Sequence, residues 1–111
     1  FQAMQMKVGA MAGKYESARW MVYHLAYLAD TEKDMKRFQA QAALVKAQVS
    51  DLAIESTVMG MNALGAYGVM KEYHTERFLR DASIGPNVEG ATDIQRIIAG
   101  NYYLRNYKPA K

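Results

Sequence analysis

Cysteine is absent from the chain, which excludes disulfides, thiolate metal ligands and cysteine nucleophiles and agrees with a reducing compartment. No apolar run approaches the roughly 20 residues needed to cross a bilayer, and His24 and Asp30 interrupt the most hydrophobic stretch. No membrane-spanning helix is expected. An initiating Met, a basic leader and an uninterrupted apolar leader segment are also missing at the start, so no signal peptide is expected. The chain opens directly into helical pattern at Phe1, and the expectation is a fragment or processed chain with sequence upstream. Charge of one sign is not gathered anywhere. The 14 basic and 11 acidic residues give a net +3, but they are interspersed, form no basic arm and do not interleave with aromatics, so no nucleic-acid partner is expected. His24 and His74 stand far apart without zinc-type carboxylate spacing, and no metal site is expected. His24 lies among core-facing residues and reads as a packing histidine.

What is present points to a packed helical domain. The chain has 111 residues, half of them apolar, with eight Tyr, eight Met and one Trp, a composition that argues against disorder. A domain this small buries only about two thirds of its unfolded surface, so its stability is marginal without partners.

Apolar residues at Met4, Val8, Met11, Tyr15, Ala18, Val22, Leu25 and Leu28 follow spacings of three and four, which predicts a first helix over about 1–29. Gly9 and Gly13 inside it each cost about 1 kcal/mol relative to Ala. They point either to close approach by another backbone or ligand, or to two tolerated glycines. Asp30 and Thr31 supply N-cap chemistry, followed by Glu32 and Asp34 where a helix dipole favours acids. A second helix is therefore expected from there to about Leu64, with its stripe at Met35, Phe38, Ala42, Val45, Val49, Leu52, Ser56, Met59 and Ala63. So regular a seam wants an antiparallel neighbour, and the first helix is the obvious one. Gly65-Ala66-Tyr67-Gly68 then supplies a C-cap and a tight turn.

A short helix over His74–Asp81 and a loop from Ile84 to Gly90 follow. Thr92-Asp93-Ile94-Gln95 has the form of a capping box and predicts a last helix running to about Asn106, with Ile94, Ile97, Ile98, Asn101 and Leu104 on its buried side and Pro109 closing the tail. No period-2 strand or internal repeat is visible. The fold class expected is all-α, an up-down bundle of three long helices and one short one.

Phosphate-binding glycine loops and Ser-His-Asp arrangements are lacking. What remains is Glu89, in Pro86-Asn87-Val88-Glu89-Gly90-Ala91-Thr92, between a rigid turn and a helix start. There it has an apolar wall, an open approach and free amide donors beside it. On the residues alone, a surface acid complementing the helix dipole is the better reading, and a catalytic role is the lesser alternative.

Glu72-Tyr73-His74-Thr75-Glu76-Arg77-Phe78-Leu79-Arg80-Asp81-Ala82, then Glu89-Gly90-Ala91-Thr92-Asp93-Ile94-Gln95-Arg96, closely resembles the C-terminal signature of the acyl-CoA dehydrogenases, usually EYPVERLYRDA followed by YEGTSEIQR. Phe1-Gln2 and the helix after it resemble the family's FQxxQxxLAdM segment, and Asn62-Ala63-Leu64-Gly65-Ala66-Tyr67-Gly68 its QxxGGYG turn. The resemblance implies FAD-dependent α,β-dehydrogenation of an acyl-CoA thioester, with Glu89 as the base that removes the α-proton while the β-hydrogen leaves as hydride to the flavin. Such a proton is too weakly acidic for a carboxylate in water, so the enolate needs stabilisation in a dried site. In the family the thioester oxygen is held by the amide of this same Glu and a flavin hydroxyl.

The resemblance further implies that Gly90 contacts substrate and that Gln2, Ala91, Thr92 and Asp93 contact FAD. Asn62, Ala63, Leu64, Gly65 and Ala66 would reach the FAD of a neighbouring subunit. A homotetramer, an electron-transfer flavoprotein as electron acceptor, and a cytoplasmic or mitochondrial-matrix location are implied as well. Asn62, Ala66 and Ala91 depart from the family's usual Gln, Gly and Thr, and Ala91 removes one hydroxyl donor. The alternative is a non-catalytic helical interaction module, or a subunit completing a partner's flavin site.

Overall fold

The computed structural model describes residues 1–107, and Pro109 lies outside the described residues. Four α-helices follow in order: α1 (Gln2–Thr31), α2 (Met35–Leu64), α3 (Thr75–Ser83) and α4 (Thr92–Asn106). Two 3-10 turns, Gly65–Val69 and Lys71–Tyr73, join α2 to α3. There is no strand among the described residues, so the all-α class and the three-plus-one helix arrangement are as expected.

The first helix boundary falls later than the expected one. Asp30 and Thr31 finish α1 instead of capping α2, and the Thr31 hydroxyl donates back to the Tyr27 carbonyl at 2.8 Å, the usual choice of a threonine within a helix. The cap of α2 is Asp34, whose carboxylate accepts from the Lys36 amide at 3.0 Å. Glu32 completes the turn by accepting from the Asp34 amide. At the other end Gly65 takes a positive φ of 62°, open to glycine and strained for other residues.

Helix α2 is the central element. Lys7 Nζ donates to the Asn62 carbonyl, and Lys14 pairs with Glu55, so α1 lies antiparallel along one side. On another side Gln41 donates to the Tyr103 hydroxyl and Arg96 pairs with Asp51, which sets α4 antiparallel as well. Helix α3 also packs on α2, whereas α1 and α4 do not touch. The buried apolar residues are Leu28, Ala40, Ala43, Val45, Ala47 and Ala99. Most are alanines, because small side chains let neighbouring helices approach α2 on two sides at once.

Burial departs from the expected stripes accordingly. Val8, Met11, Tyr15 and Ala18 of α1 do face Val49, Leu52 and Ser56 of α2, but across an open groove of about 590 Å³. His24, expected as a packing histidine, is exposed, since α2 covers only a narrow strip of α1. On α4 the buried positions are Thr92 and Ala99, while Ile94, Ile97, Ile98, Asn101 and Leu104 are exposed, Leu104 by 83%. One neighbour shields one side of α4; Ile94 and Ile97 lie off that side, and Ile98 lies at its open edge. Gly9 and Gly13 face open space, with no described residue close against them.

The radius of gyration is 17.1 Å, against about 13 Å for a compact domain of this length. Met6, Trp20, Ile97 and Leu104 are all more than half exposed, and so much uncovered apolar surface is characteristic of an interaction face. The isolated chain is expected to self-associate or to bind an apolar dye strongly. A monodisperse monomer silent towards the dye contradicts this.

Gly68 is buried where the turn after α2 folds back, and a Cβ there would overlap the Met61 backbone. The Thr75 hydroxyl bonds the Gly68 carbonyl at 2.7 Å and ties in α3. Gly68→Ala is expected to destabilise by about 1–3 kcal/mol, as overpacking does, read as a lower urea midpoint with helix content kept. An unchanged midpoint counts against the close approach.

Candidate functional site

The segment between α3 and α4 is a tight corner held by its own backbone. The Asn87 and Val88 amides donate to the Ile84 carbonyl at 2.9 and 3.2 Å, and the Thr92 amide to the Pro86 carbonyl at 2.8 Å. To close it, Glu89 and Gly90 both take positive φ, 53° and 94°. For glycine this is easy; for glutamate it is a strained conformation of the sort that gathers at functional sites. Glu89 is exposed at the apex of this corner, just before α4. Among the described residues, nothing accepts from the Glu89, Gly90, Asp93 or Ile94 amides.

The capping box is not formed. Ala91 is the N-cap and no side chain caps α4. Thr92 has entered the helix, where its hydroxyl is buried without a hydrogen-bond partner. The Gln95 amide lies against Gly90, where a Cβ would overlap it. The expected Thr92 cap is thus not the observed one: loop closure through the Thr92 amide draws Thr92 into the helix and leaves Ala91 at the N-cap.

A cavity of about 550 Å³ adjoins Glu89. Its walls are Phe38, Gln39, Ala42, Ala43 and Lys46 of α2 with Gln95 and Ile98 of α4. The lining is mixed, apolar with two amides and one cation. Lys46 donates to the Gly85 carbonyl at 2.5 Å. Sequence reasoning missed both Lys46 and Gln95 as parts of this site. The available signal was a lone cation within the apolar run Ala42-Ala43-Leu44-Val45-Lys46-Ala47.

The other sequence-derived site residues fall into two groups. Gly90, Ala91, Thr92 and Asp93 are contiguous with Glu89 at the start of α4. Gln2 and Asn62, Ala63, Leu64, Gly65 and Ala66 collect elsewhere, where the start of α1 meets the end of α2 through the Lys7 to Asn62 bond. At 1.5 Å per helical residue, the stretch of α2 from Lys46 to Asn62 puts the groups about 24 Å apart. One chain does not bring them together.

For a bound flavin, the backbone of the first group presents suitable donors: free amides at the positive end of α4, which could hold carbonyl or phosphate oxygens. The side chains add little. Ala91 carries no hydroxyl, and that of Thr92 is sealed from the surface. Asp93 is exposed and pairs weakly with Arg96 at 3.4 Å. Among the described residues no three His, Asp or Glu side chains stand close enough to hold a metal ion, and no described helix is long and apolar enough to cross a membrane.

Fold and site together define an all-helical domain that presents a carboxylate at a strained corner beside an open pocket. Residues 1–104 match the acyl-CoA dehydrogenase, C-terminal domain family. The chain is 37% identical over 107 residues to the mitochondrial short-chain specific acyl-CoA dehydrogenase of Bos taurus, covering 96% of this chain and 25% of that protein. It is 36% identical over 103 residues to an acyl-CoA dehydrogenase of Bacillus subtilis, covering 93% and 26%. A solved structure described as the electron transferring flavoprotein of Acidaminococcus fermentans, concerned with flavin-based electron bifurcation, superposes with a TM-score of 0.86 at 37% identity, over 96% of this chain and 27% of that one. The chain belongs to the acyl-CoA dehydrogenase family, and it spans about a quarter of the length of the curated relatives it matches.

The corner makes a backbone-specific prediction. Gly90→Ala is expected to destabilise by at least about 1 kcal/mol, because Ala at positive φ is strained, and Gln95→Ala in the same chain is expected to return only the part due to overlap. Full recovery in urea unfolding of the double variant would show that φ is not the constraint.

Proposed function

We propose that the complete protein carrying this chain is an FAD-dependent acyl-CoA dehydrogenase and that Glu89 is its base. The observation that carries this reading is the placing of Glu89: an exposed carboxylate at positive φ, with its own amide unengaged, beside a cavity at the N-terminus of α4. Base and amide belong to one residue. A thioester oxygen accepting from the Glu89 amide sets the α-carbon within reach of the same residue's carboxylate, and the developing enolate charge lies at the positive end of a helix. Gly90, lacking a Cβ, leaves the approach open. Phe38, Ala42, Ala43 and Ile98 offer apolar surface to the substrate, whose arrival displaces water from the carboxylate. FAD, when bound, supplies the hydride acceptor for the β-hydrogen.

The residues Asn62–Ala66 serve a flavin at a different place, that of another copy, and Gln2 contacts a flavin as well. Their separation of about 24 Å from Lys46 along α2 supports an assembly in which copies complete one another's sites, and the exposed apolar faces of α1 and α4 support association, as a homotetramer in this reading. Likeness to the Acidaminococcus fermentans structure supports an electron-transfer flavoprotein as acceptor.

Glu89→Gln in the complete enzyme is expected to abolish dehydrogenation while FAD and acyl-CoA binding persist, because the backbone amide stays and only the proton acceptor is lost. General-base catalysis alone contributes about 10²–10⁴-fold. The measurement is flavin bleaching on anaerobic addition of acyl-CoA, with α-proton exchange into deuterated solvent followed in parallel. Wild-type rates in the Gln variant overturn the assignment and leave the helical interaction module as the better reading.

A further inference from the structure

A non-glycine residue stays at positive φ only while its surroundings force it there, and Glu89 is one such residue. The constraints lie on either side of it. Downstream, the Thr92 amide clamps the Pro86 carbonyl. Upstream, Lys46 Nζ reaches from α2 to the Gly85 carbonyl at 2.5 Å, a part-buried bond between residues 39 apart in sequence. Gly85 sits close against the same side of α2: a Cβ on it would stand 3.5 Å from the Ser50 hydroxyl, and Ser50 is one helical turn beyond Lys46. None of the ion pairs among the described residues includes Lys46. Its charge is directed at a loop carbonyl, and a cationic donor makes that bond stronger than a neutral one.

We infer that Lys46 is a positioning residue that holds the 84–91 corner on α2 and so keeps Glu89 in its strained conformation. The inference rests on the reading of Glu89 as the base. Without the Lys46 donor the corner keeps its internal bonds to the Ile84 and Pro86 carbonyls but loses its hydrogen bond to α2, and Glu89 relaxes towards negative φ. Because φ turns the amide and the side chain relative to one another, relaxation spoils the pairing of oxyanion donor and base while leaving the apolar walls in place. The expected signature is a loss in kcat with KM nearly unchanged.

The test uses the complete enzyme with rates normalised to bound flavin. Lys46→Met, which keeps most of the unbranched stem without a donor, is expected to lower kcat by about 10–100-fold, the scale of a misplacement near 1 Å, and Lys46→Arg, which keeps a cationic donor, is expected to recover most of it. Amide hydrogen exchange is expected to quicken at the hydrogen-bonded amides of the corner, Asn87, Val88 and Thr92, in the Met variant while α2 stays protected. A Met variant with wild-type kcat, a kcat loss without faster exchange in the corner, or faster exchange throughout the chain each overturns the inference. Glu89→Gln, run alongside, separates the two readings. If it turns over normally the base assignment falls, and the exchange at Asn87, Val88 and Thr92 still decides whether Lys46 holds the corner.

Discussion

Helix α2 is gripped on two sides, and α1 and α4 are held in place only by their contacts with it. That double contact explains why its most buried positions are Ala40, Ala43 and Ala47: larger residues there would hold one neighbour off. It also explains why the interior contains almost no large buried side chain. Much apolar surface lies on the outer faces of α1 and α4, where no described residue covers it, which is characteristic of an interaction face.

The candidate site is a consequence of the same arrangement. Lys46 and Ser50 lie on the side of α2 that receives the corner before α4, and the corner is short enough to need two consecutive positive φ values. Gly90 accepts this readily and Glu89 does not, so the local chain is less stable than it would be with glycine at both places. The strain is concentrated on the residue at the edge of the cavity, which fits a site where geometry is favoured over stability. The surface ion pairs that fasten α4 nearby, Arg96 with Asp51 and Asp93, are worth little individually. Backbone closure and helix packing carry the positioning.

Distance along α2 organises the rest. The corner with Glu89 and the group at the end of α2 are some 24 Å apart by helical rise, so one copy of the chain does not bring the two groups of residues together. The chain itself spans about a quarter of the length of the curated relatives it matches.

Periodicity by itself determined the all-α class, the four helices, their approximate ends and the antiparallel pairing of α1 with α2, because a 3.6-residue repeat is a local property written into residue order. The motif at Glu89–Arg96 likewise singled out the corner. Only the tertiary structure decided which faces are buried, since burial depends on which neighbour arrives: His24, Ile94 and Ile97 carry apolar or core-like surroundings in sequence and yet lie outside the strip that α2 covers. It also decided that Asp34 caps α2 and that Thr92 enters α4 instead of capping it, because loop closure competes with local capping for the same amides. And it alone brought Lys46 to Gly85. A contact across 39 residues leaves no periodic trace in the chain, for it arises from the register of α2 against a loop and not from any repeat within either.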